Sequence, residues 1–226
     1  MMQRRSFLLS GAGLAVASLV PPVLWAQESS NGAAKAIADF IGNAKSDAGG
    51  LTLTMPEIAE NGNTVPLTVE MSSPMTADNY VKEILVVAEG NPSPEVARFE
   101  FSPLSGTAKA NTRMRLAKTQ DVVALAKMTD GSVAQARQTV KVTIGGCGGS
   151  IMENARVKAP KKAAKGDIVT IKTLISHPME SGQRKDESGQ LIPRKIIHRF
   201  TATYNDQPVF AMDLAPSISA NPFIEC

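Results

Sequence analysis

One cysteine of this chain, Cys147, lies inside a run of glycines. Pairs of glycine flank it on both sides: Gly145, Gly146, Gly148 and Gly149. Because glycine has no Cβ, such a segment does not favour regular structure and lets another backbone come close to the sulfur. From Ile144 to Gly149 a fully extended chain spans about 17 Å. The pattern predicts an accessible thiol on an arm that can enter narrow sites of other proteins.

The same five residues also fit a flexible linker or one half of a disulfide. The chain has two cysteines, and paired cysteines are common in exported proteins. A bond between Cys147 and Cys226 would start from a glycine-rich segment and would hold little structure in place. We therefore expect a free Cys147, and the sequence assigns no role to Cys226.

A catalytic cysteine would need a nearby base, and the chain has two histidines, His177 and His198. Neither lies in a known cysteine-enzyme motif. His177 precedes Pro178 in a polar loop, which favours a turn. His198 lies in a strand-like run, where we expect it to be partly buried. A metal site from Cys147 and both histidines lacks the usual ligand spacing, so the residues favour neither a cysteine hydrolase nor a metalloprotein.

The first 26 residues have the pattern of an export signal. Gln3–Ser10 place a paired arginine before the apolar stretch Gly11–Trp25, and the Arg-Arg-x-Phe-Leu pattern favours the twin-arginine route. We therefore predict cleavage after Ala26 and a periplasmic location. A membrane anchor is the weaker alternative, because the apolar run is shorter than about 20 residues and contains Pro21 and Pro22.

Composition sets limits on the partners of the mature chain. The chain has 226 residues, of which 43% are hydrophobic and 4% aromatic, which suits one or two small domains. Removal of the signal would lower the formal net charge from +3 to +1 and would remove the one tryptophan. Little aromatic surface is then left on which bases could stack. We expect no nucleic-acid partner.

Hydrophobic spacing predicts one short helix followed by many short strands. Apolar residues recur at helical spacing over residues 31–44, before the Gly49-Gly50 pair. Asp130-Gly131 predicts a hairpin turn. The predicted strands that follow the helix are 51–55, 65–71, 83–88, 96–101, 112–116, 121–126 and 134–144. Short strands with turns about every ten residues are typical of an antiparallel sandwich.

A second β unit is predicted after the glycine-rich arm. Its strand candidates are 168–175, 195–204 and 208–214, with a long polar loop at 177–193. Residues 27–151 carry a net charge of −2 and residues 152–226 a net charge of +3, which favours docking of the two units. The sequence thus predicts an all-β chain with two immunoglobulin-like antiparallel β-sandwich domains, at 27–144 and 152–226. A carrier arm and linker at 145–151 join them.

Two groups of motifs resemble SoxY and SoxZ, the sulfur-carrier proteins of bacterial thiosulfate oxidation. The resemblance to SoxY rests on the twin-arginine signal, on Leu51–Gly62 and on Val140–Gly149. The resemblance to SoxZ rests on three segments: Ile171–Arg184, Ile192–Ile197 and Ile218–Pro222. Together the two resemblances cover nearly all of the mature chain, so the chain is similar to a fusion of SoxY and SoxZ.

The resemblance implies a carrier that has no active site and no cofactor of its own. It implies that Cys147 bears sulfur intermediates covalently and that the flanking glycines let it enter the partners. The implied partners are the haem c enzyme SoxXA, the hydrolase SoxB and the sulfur dehydrogenase SoxCD, with no nucleic acid and no membrane. It also implies that the two units dock on each other and that residues 179–187 form a docking surface.

Two departures from the family pattern bear on this expectation. In the family the glycine-flanked cysteine ends the SoxY chain, whereas here Ser150-Ile151 lead directly into Met152. The arm is therefore tethered at both ends. The SoxZ resemblance also stops at Cys226, so we expect an incomplete second sandwich with an unpaired sheet edge. The alternative function is an exported binding or adhesion protein in which Cys147 is structural.

Overall fold

The computed structural model describes residues 24–44, 46–47, 49–143 and 154–226. It begins with one α-helix, α1 (Leu24–Ile41). The helix ends at Gly42, which has a φ of +56° and donates its N–H to the Ala38 carbonyl at 2.8 Å. Glycine adopts this left-handed conformation without a Cβ penalty.

The predicted helix is confirmed as an element, but its limits were wrong. It starts before residue 31, and Gly42 ends it before the Gly49-Gly50 pair. Most of the predicted export signal, residues 1–26, lies outside the described residues, so that prediction stays open. In the described ranges no helix combines the length and hydrophobicity that a membrane crossing needs.

Strands make up most of the remaining structure. The first unit, residues 24–143, contains nine: β1 (Ser46–Asp47), β2 (Leu51–Thr54), β3 (Ile58–Ala59), β4 (Val65–Met71), β5 (Val81–Ala88), β6 (Glu95–Phe101), β7 (Ala108–Met114), β8 (Gln120–Met128) and β9 (Val133–Val142). The second unit, residues 154–226, contains five within the described residues: β10 (Asn154–Lys158), β11 (Lys172–Ser176), β12 (Arg199–Tyr204), β13 (Gln207–Leu214) and β14 (Phe223–Glu225).

The described strands form two sheets. The larger sheet has the order β1-β9-β8-β5-β6-β13-β12, with β3 paired to β9, and the smaller has the order β10-β11-β14-β7-β4-β2. The short strands β1 and β3 run parallel to β9, and the other pairs are antiparallel. The predicted all-β antiparallel class with an N-terminal helix is confirmed.

Each sheet contains strands from both units. We expected two sandwiches side by side, whereas β13 pairs with β6 from Phe210↔Phe101 to Leu214↔Ala97. In the smaller sheet β14 pairs with β7 at Glu225↔Asn111. The reason is physical: the second unit has few described strands, and its apolar side chains become buried when β13 and β14 extend the sheets of the first unit.

The main core lies between the two sheets and contains residues of both units. Phe99 and Val69 of the first unit and Met212 and Ile224 of the second are all fully buried. Helix α1 forms a smaller core on the other face of the larger sheet, where Phe40 packs with residues of β5 and β8. Strands β5 and β8 are therefore covered on both faces and form the most protected part of the molecule.

Candidate functional site

The structure describes the base of the predicted arm. Cys147 and its flanking glycines lie outside the described residues, as does the rest of segment 144–153. The described chain stops at Thr143, one residue after the end of β9, and resumes at Asn154, the first residue of β10. The structure therefore shows how the protein holds β9, the strand that leads into the arm.

The end of β9 is held on one side by the short strand β3. The N–H of Lys141 donates to the Glu57 carbonyl at 2.9 Å, and the N–H of Thr143 donates to the Ala59 carbonyl at 3.1 Å. The Thr143 hydroxyl also lies 3.3 Å from the Glu60 carbonyl. The two-residue strand in segment 56–62 is too short to show a periodic pattern in the sequence. Its role is to fix the base of the arm.

The same strand is also held on its other side. The N–H of Val142 donates to the Thr119 hydroxyl at 3.0 Å. Further back, the Gln138 side chain accepts from the Met55 N–H at 3.2 Å and donates to the Met55 carbonyl at 2.7 Å. The last residues before the arm are thus bonded on both sides, and any reach of Cys147 starts from a fixed point.

A cavity of 330 Å³ lies at the junction of the two units. Its walls include Asn63, Arg115 and Leu116 of the first unit and Gln183 and Ser217 of the second. The N–H of Leu116 donates to the Gly62 carbonyl at 2.7 Å, and Gly62 ends the segment that holds β9. The cavity and the base of the arm therefore lie at the same end of the sandwich.

A buried amide joins the walls of this cavity. Asn91 is 3% exposed, and its Nδ2 donates to the Arg115 carbonyl at 2.8 Å and to the Ser217 hydroxyl at 2.9 Å. Its Oδ1 accepts from Gln120 Nε2 at 2.8 Å. The Ser217 hydroxyl in turn donates to the Ser93 carbonyl at 2.5 Å. Because the buried polar groups of Asn91 are satisfied, this network fixes the second unit against the first at low cost.

Arg115 makes the second polar link between the units. Its Nη1 donates to the Met179 carbonyl at 2.8 Å and its Nη2 to the Pro178 carbonyl at 3.1 Å. Burial lowers the pKa of the Arg115 guanidinium, and the charge of nearby Glu180 opposes that effect. A guanidinium stays protonated across the physiological range. Arg115 therefore acts as a fixed positive donor that holds the loop of the second unit in place.

His177 is a turn residue, as predicted. It is 7% exposed, and its Nδ1 accepts from the Met179 N–H at 3.0 Å. Its own N–H donates to Asn221 Oδ1 at 3.1 Å. A proton taken up at Nδ1 would break the bond to Met179, which has a positive φ of 49° and needs that support. The contacts of His177 are therefore those of a structural residue.

The predicted docking loop at 179–187 divides into two parts. Met179 and Glu180 are buried, and the carbonyl of Met179 is the acceptor for Arg115. Glu180 is held by Arg184, whose Nε donates to Oε2 at 2.8 Å. Residues 183–187 are exposed. The buried part thus docks on the first unit, and the exposed part remains at the surface.

Comparison with protein families assigns both units. The family described as Sulfur oxidation protein SoxY matches residues 37–147, and the family described as Sulphur oxidation protein SoxZ matches residues 157–226. The solved structure of the sulfur carrier protein SoxY from Chlorobium limicola f thiosulfatophilum is 35% identical, with a TM-score of 0.42. The match covers 49% of this chain and 96% of that one. The chain belongs to the SoxY family and carries a fused SoxZ unit.

Two superoxide reductase structures share less with this SoxY–SoxZ fusion. Superoxide reductase (neelaredoxin) from Ignicoccus hospitalis is 19% identical, with a TM-score of 0.38, and the match covers 42% of this chain and 80% of that one. A putative superoxide reductase from Thermotoga maritima is 18% identical, with a TM-score of 0.38, over 45% and 95% of the two chains. No curated protein matches the fusion.

The remaining candidate residues of the fusion lie apart from the arm base. His198 was predicted to be partly buried, and this prediction is wrong. The residue is exposed and precedes β12. Its backbone carbonyl accepts from the Leu214 N–H at 2.9 Å, so the backbone and not the ring joins it to the sheet. Among the described residues, no group of three or more His, Cys, Asp or Glu side chains could hold a metal ion. The position of Cys147 relative to either histidine lies outside the described residues.

Cys226 is half-buried in the second unit of the fusion. Its N–H donates to the Ile171 carbonyl at 3.1 Å and its carbonyl accepts from the Ile171 N–H at 2.9 Å. Burial, followed by the charge of Glu225, raises the pKa of its thiol to about 11. Cys226 bonds to no other described cysteine. The prediction of a free Cys147 stays open.

Proposed function

We propose that this chain is a periplasmic sulfur carrier that holds thiosulfate-derived sulfur covalently on Cys147. The observation that supports the proposal is the base of the arm. In a chain of the SoxY family, the strand that runs into the glycine-flanked cysteine is bonded on both sides up to Thr143. Such a base suits a carrier, since it fixes the point from which the glycine-flanked cysteine starts.

The chemistry of loading needs a thiolate and an external oxidant. Cys147 as a thiolate and thiosulfate would join through a new S–S bond, and two electrons would leave to the haem of a SoxXA-type enzyme. A SoxB-type hydrolase would then add water, release sulfate and two protons, and leave a persulfide anion on Cys147. A sulfur dehydrogenase of the SoxCD type would then accept six electrons from the outer sulfur of the persulfide, which would gain three oxygens from water with release of six protons. In this scheme the chain carries the group and its partners provide the catalysis.

The proposed carrier role does not ask for a base in this chain. His177 uses its Nδ1 to hold the turn at Met179, and His198 lies exposed next to β12. A hydrolase would need one of these rings to take a proton from the thiol. The hydrogen bonding of His177 thus favours the carrier over a cysteine hydrolase.

The tether limits how far the carried group can travel. Cys147 follows Thr143 by four residues and precedes Asn154 by seven. At about 3.5 Å per residue, the sulfur can lie at most about 14 Å from Thr143 and about 25 Å from Asn154. Because Cys147 is tethered on both sides, the chain segments before and after it enter a partner together. The carrier therefore suits a partner with a wider opening than a chain with a free end would need.

The direct test is intact and peptide mass spectrometry of the protein from thiosulfate-grown cells. We expect sulfur adducts on the Cys147 peptide, no adduct in a Cys147→Ser variant, and an unchanged adduct in the matched Cys226→Ser variant. A Gly146→Val/Gly148→Val variant should load more slowly at an unchanged melting temperature, because β-branched side chains restrict the backbone. An unmodified Cys147, or one disulfide-bonded to Cys226, would support the adhesion alternative instead.

Export has its own test. Replacement of Arg4 and Arg5 by Lys should prevent export by the twin-arginine route, and the protein should then stay in the cytoplasmic fraction. Periplasmic protein at wild-type level in this variant would contradict the predicted route. Loading of Cys147 by purified partners would be unaffected by this change, so the two parts of the proposal are tested separately.

A further inference from the structure

A basic surface lies at the start of the second unit. We define it by five exposed side chains: Arg156, Lys158, Lys161, Lys162 and Lys165. Residues 154–172 contain six basic side chains and one acidic side chain. The rest of the second unit, residues 173–226, contains five basic and six acidic side chains. The net positive charge of the second unit is therefore concentrated in this surface.

The cations of the basic surface differ from several arginines on the larger sheet, which form ion pairs. On the sheets, Arg98 lies 2.7 Å from Glu83, and Arg199 pairs with Glu100 and Asp213 at 2.7 and 2.5 Å. The five side chains of the basic surface form no ion pair with any described residue. The nearby acid, Asp167, accepts from the Ala164 N–H at 2.7 Å. The basic surface thus keeps its charge available to a partner.

The basic surface is also open in shape. All five residues of β10 are exposed, and β10 is the last strand of the smaller sheet, so its outer edge has no neighbour among the described strands. Two apolar side chains of the same segment are also exposed: Val157 at 66%, on the face of β10 opposite to Arg156 and Lys158, and Ile168 at 63%.

We propose that the basic surface docks an acidic face of the protein that loads sulfur on Cys147. This inference rests on the proposed function. A partner that reaches Cys147 comes within about 25 Å of Asn154, because seven residues separate the two, and β10 begins at Asn154. An acidic rim on that partner is attracted once it comes within the screening length of the basic surface, about 14 Å at 0.05 M salt. Electrostatic complementarity of this kind mainly raises the association rate.

Three other occupants fit the basic surface less well. A second copy paired along β10 would place like charges of Arg156 and Lys158 close together, and edge lysines are a known barrier to such pairing. A membrane surface is normally met by aromatic anchors beside the cations, and residues 154–172 contain no aromatic residue. The same lack of aromatic residues disfavours single-stranded nucleic acid.

The test uses purified SoxXA from the same organism, thiosulfate, and the full chain as the varied substrate. We expect a Lys161→Glu/Lys162→Glu variant to lower kcat/KM for loading about tenfold at 0.05 M salt, with kcat unchanged. At 0.5 M salt the difference should fall below about twofold, since the screening length drops from about 14 Å to about 4 Å. The matched control is Lys35→Glu/Lys82→Glu, which makes the same charge change on α1 and β5. It should stay within about twofold of the wild type.

Equal loading of the test and control variants at low salt would overturn the proposal. A second arm measures co-sedimentation with phosphatidylglycerol–phosphatidylcholine vesicles. Binding of the wild type that the Lys161→Glu/Lys162→Glu variant loses, with unchanged loading, would assign the surface to a membrane instead. A Cys147→Ser chain, which cannot be loaded, separates failure of the docking proposal from failure of the carrier proposal. Its binding to SoxXA, measured by calorimetry, should still weaken on charge reversal.

Discussion

The two units of the molecule differ in how deeply their strands are buried. Strands β5 and β8 of the first unit each contain five consecutive buried residues. Strands β10 and β12 of the second unit contain none. The second unit buries its side chains mainly where its strands adjoin the first, as in β13 with Phe210 and Met212. The second unit is thus an extension of the sheets of the first, and its stability depends on them.

The largest expected effect on the free energy of unfolding comes from a core substitution on β13, the strand of the second unit that pairs with β6 of the first. Phe210 lies on β13, is 3% exposed, and its ring centroid lies 5.5 Å from that of Phe101 and 6.3 Å from that of Phe99. A Phe210→Ala variant should lower the free energy of unfolding by about 3–5 kcal/mol. Urea denaturation followed by circular dichroism should show one transition at a lower midpoint for the whole chain.

The matched control for this prediction is Tyr204→Ala on the neighbouring strand. Tyr204 is 67% exposed, so its removal should change the free energy of unfolding by less than about 0.5 kcal/mol. Two separate transitions in the Phe210→Ala variant, with the later one at the wild-type midpoint, would show that the first unit folds without the second. The shared sheets would then not act as one body.

A smaller effect is expected at the polar link between the units. An Arg115→Met variant removes the donors to the Met179 and Pro178 carbonyls and should cost about 2 kcal/mol, because those buried acceptors lose their bonds. The control is Arg113→Met on β7, two residues before Arg115, where an exposed guanidinium lies 5.3 Å from the Phe223 ring and contributes about 0.5–1 kcal/mol. Limited proteolysis of the loop at 177–193 should be faster in the Arg115 variant alone. Equal rates would contradict the role of Arg115.

Chain splitting sharpens the comparison further. A stop after Gly149, with residues 152–226 supplied separately, should still give a complex, because β13 and β14 pair with buried strands of the first unit. Since this contact is largely apolar, its dissociation constant should change less than about threefold between 0.05 and 0.5 M salt. Analytical ultracentrifugation measures it. A complex that dissociates at high salt would mean that the opposite charges, and not the shared sheets, hold the units together. If the proposed function holds, loading by SoxXA should be at least as fast in the split pair as in the fused chain.

The smallest expected effect is a pH dependence within the first unit. Asp121 accepts from the Thr139 hydroxyl at 2.5 Å and from Arg137 at 3.0 Å, and these bonds lower the pKa of its carboxyl group. Because the pKa is lowered, Asp121 stabilises the fold at pH values above its pKa in the unfolded chain, which is near 4. This stabilisation is lost as the pH falls through the lower pKa of the folded state. An Asp121→Asn variant should therefore be less stable at pH 7, by less than about 1 kcal/mol. The difference should disappear near pH 2, as measured by urea unfolding. A difference that persists there would assign the effect to packing.

Local patterns predicted much of the first unit. Strand 65–71 was predicted with its correct limits, since Val65, Leu67 and Val69 alternate as buried residues with more exposed ones. The turn at Asp130-Gly131 was also correct, and Asp130 accepts from the Ser132 N–H at 2.8 Å. The start of β7 was missed because its buried positions Ala108 and Ala110 are alanines, which have low strand propensity.

Contacts between distant segments could not be predicted. The pairing of Leu214 with Ala97 and the bond from Arg115 to the Met179 carbonyl join residues far apart in the chain, and neither leaves a local pattern. Strand β10 was missed because all its side chains are exposed and it lacks a hydrophobic period. For the candidate site, the sequence indicated the thiol and its glycines. It did not indicate that segment 56–62 holds the strand before them.

The protected thiol of Cys226 has a consequence for selectivity. A persulfide is open to attack by any thiolate, which would remove the sulfur and leave a mixed disulfide. With a pKa of about 11, only about one Cys226 in a thousand is ionised at pH 8, whereas about a quarter of ordinary thiols with a pKa near 8.5 are ionised there. In the proposed carrier, the low thiolate fraction of Cys226 therefore slows its attack on sulfur bound to Cys147 of the same chain.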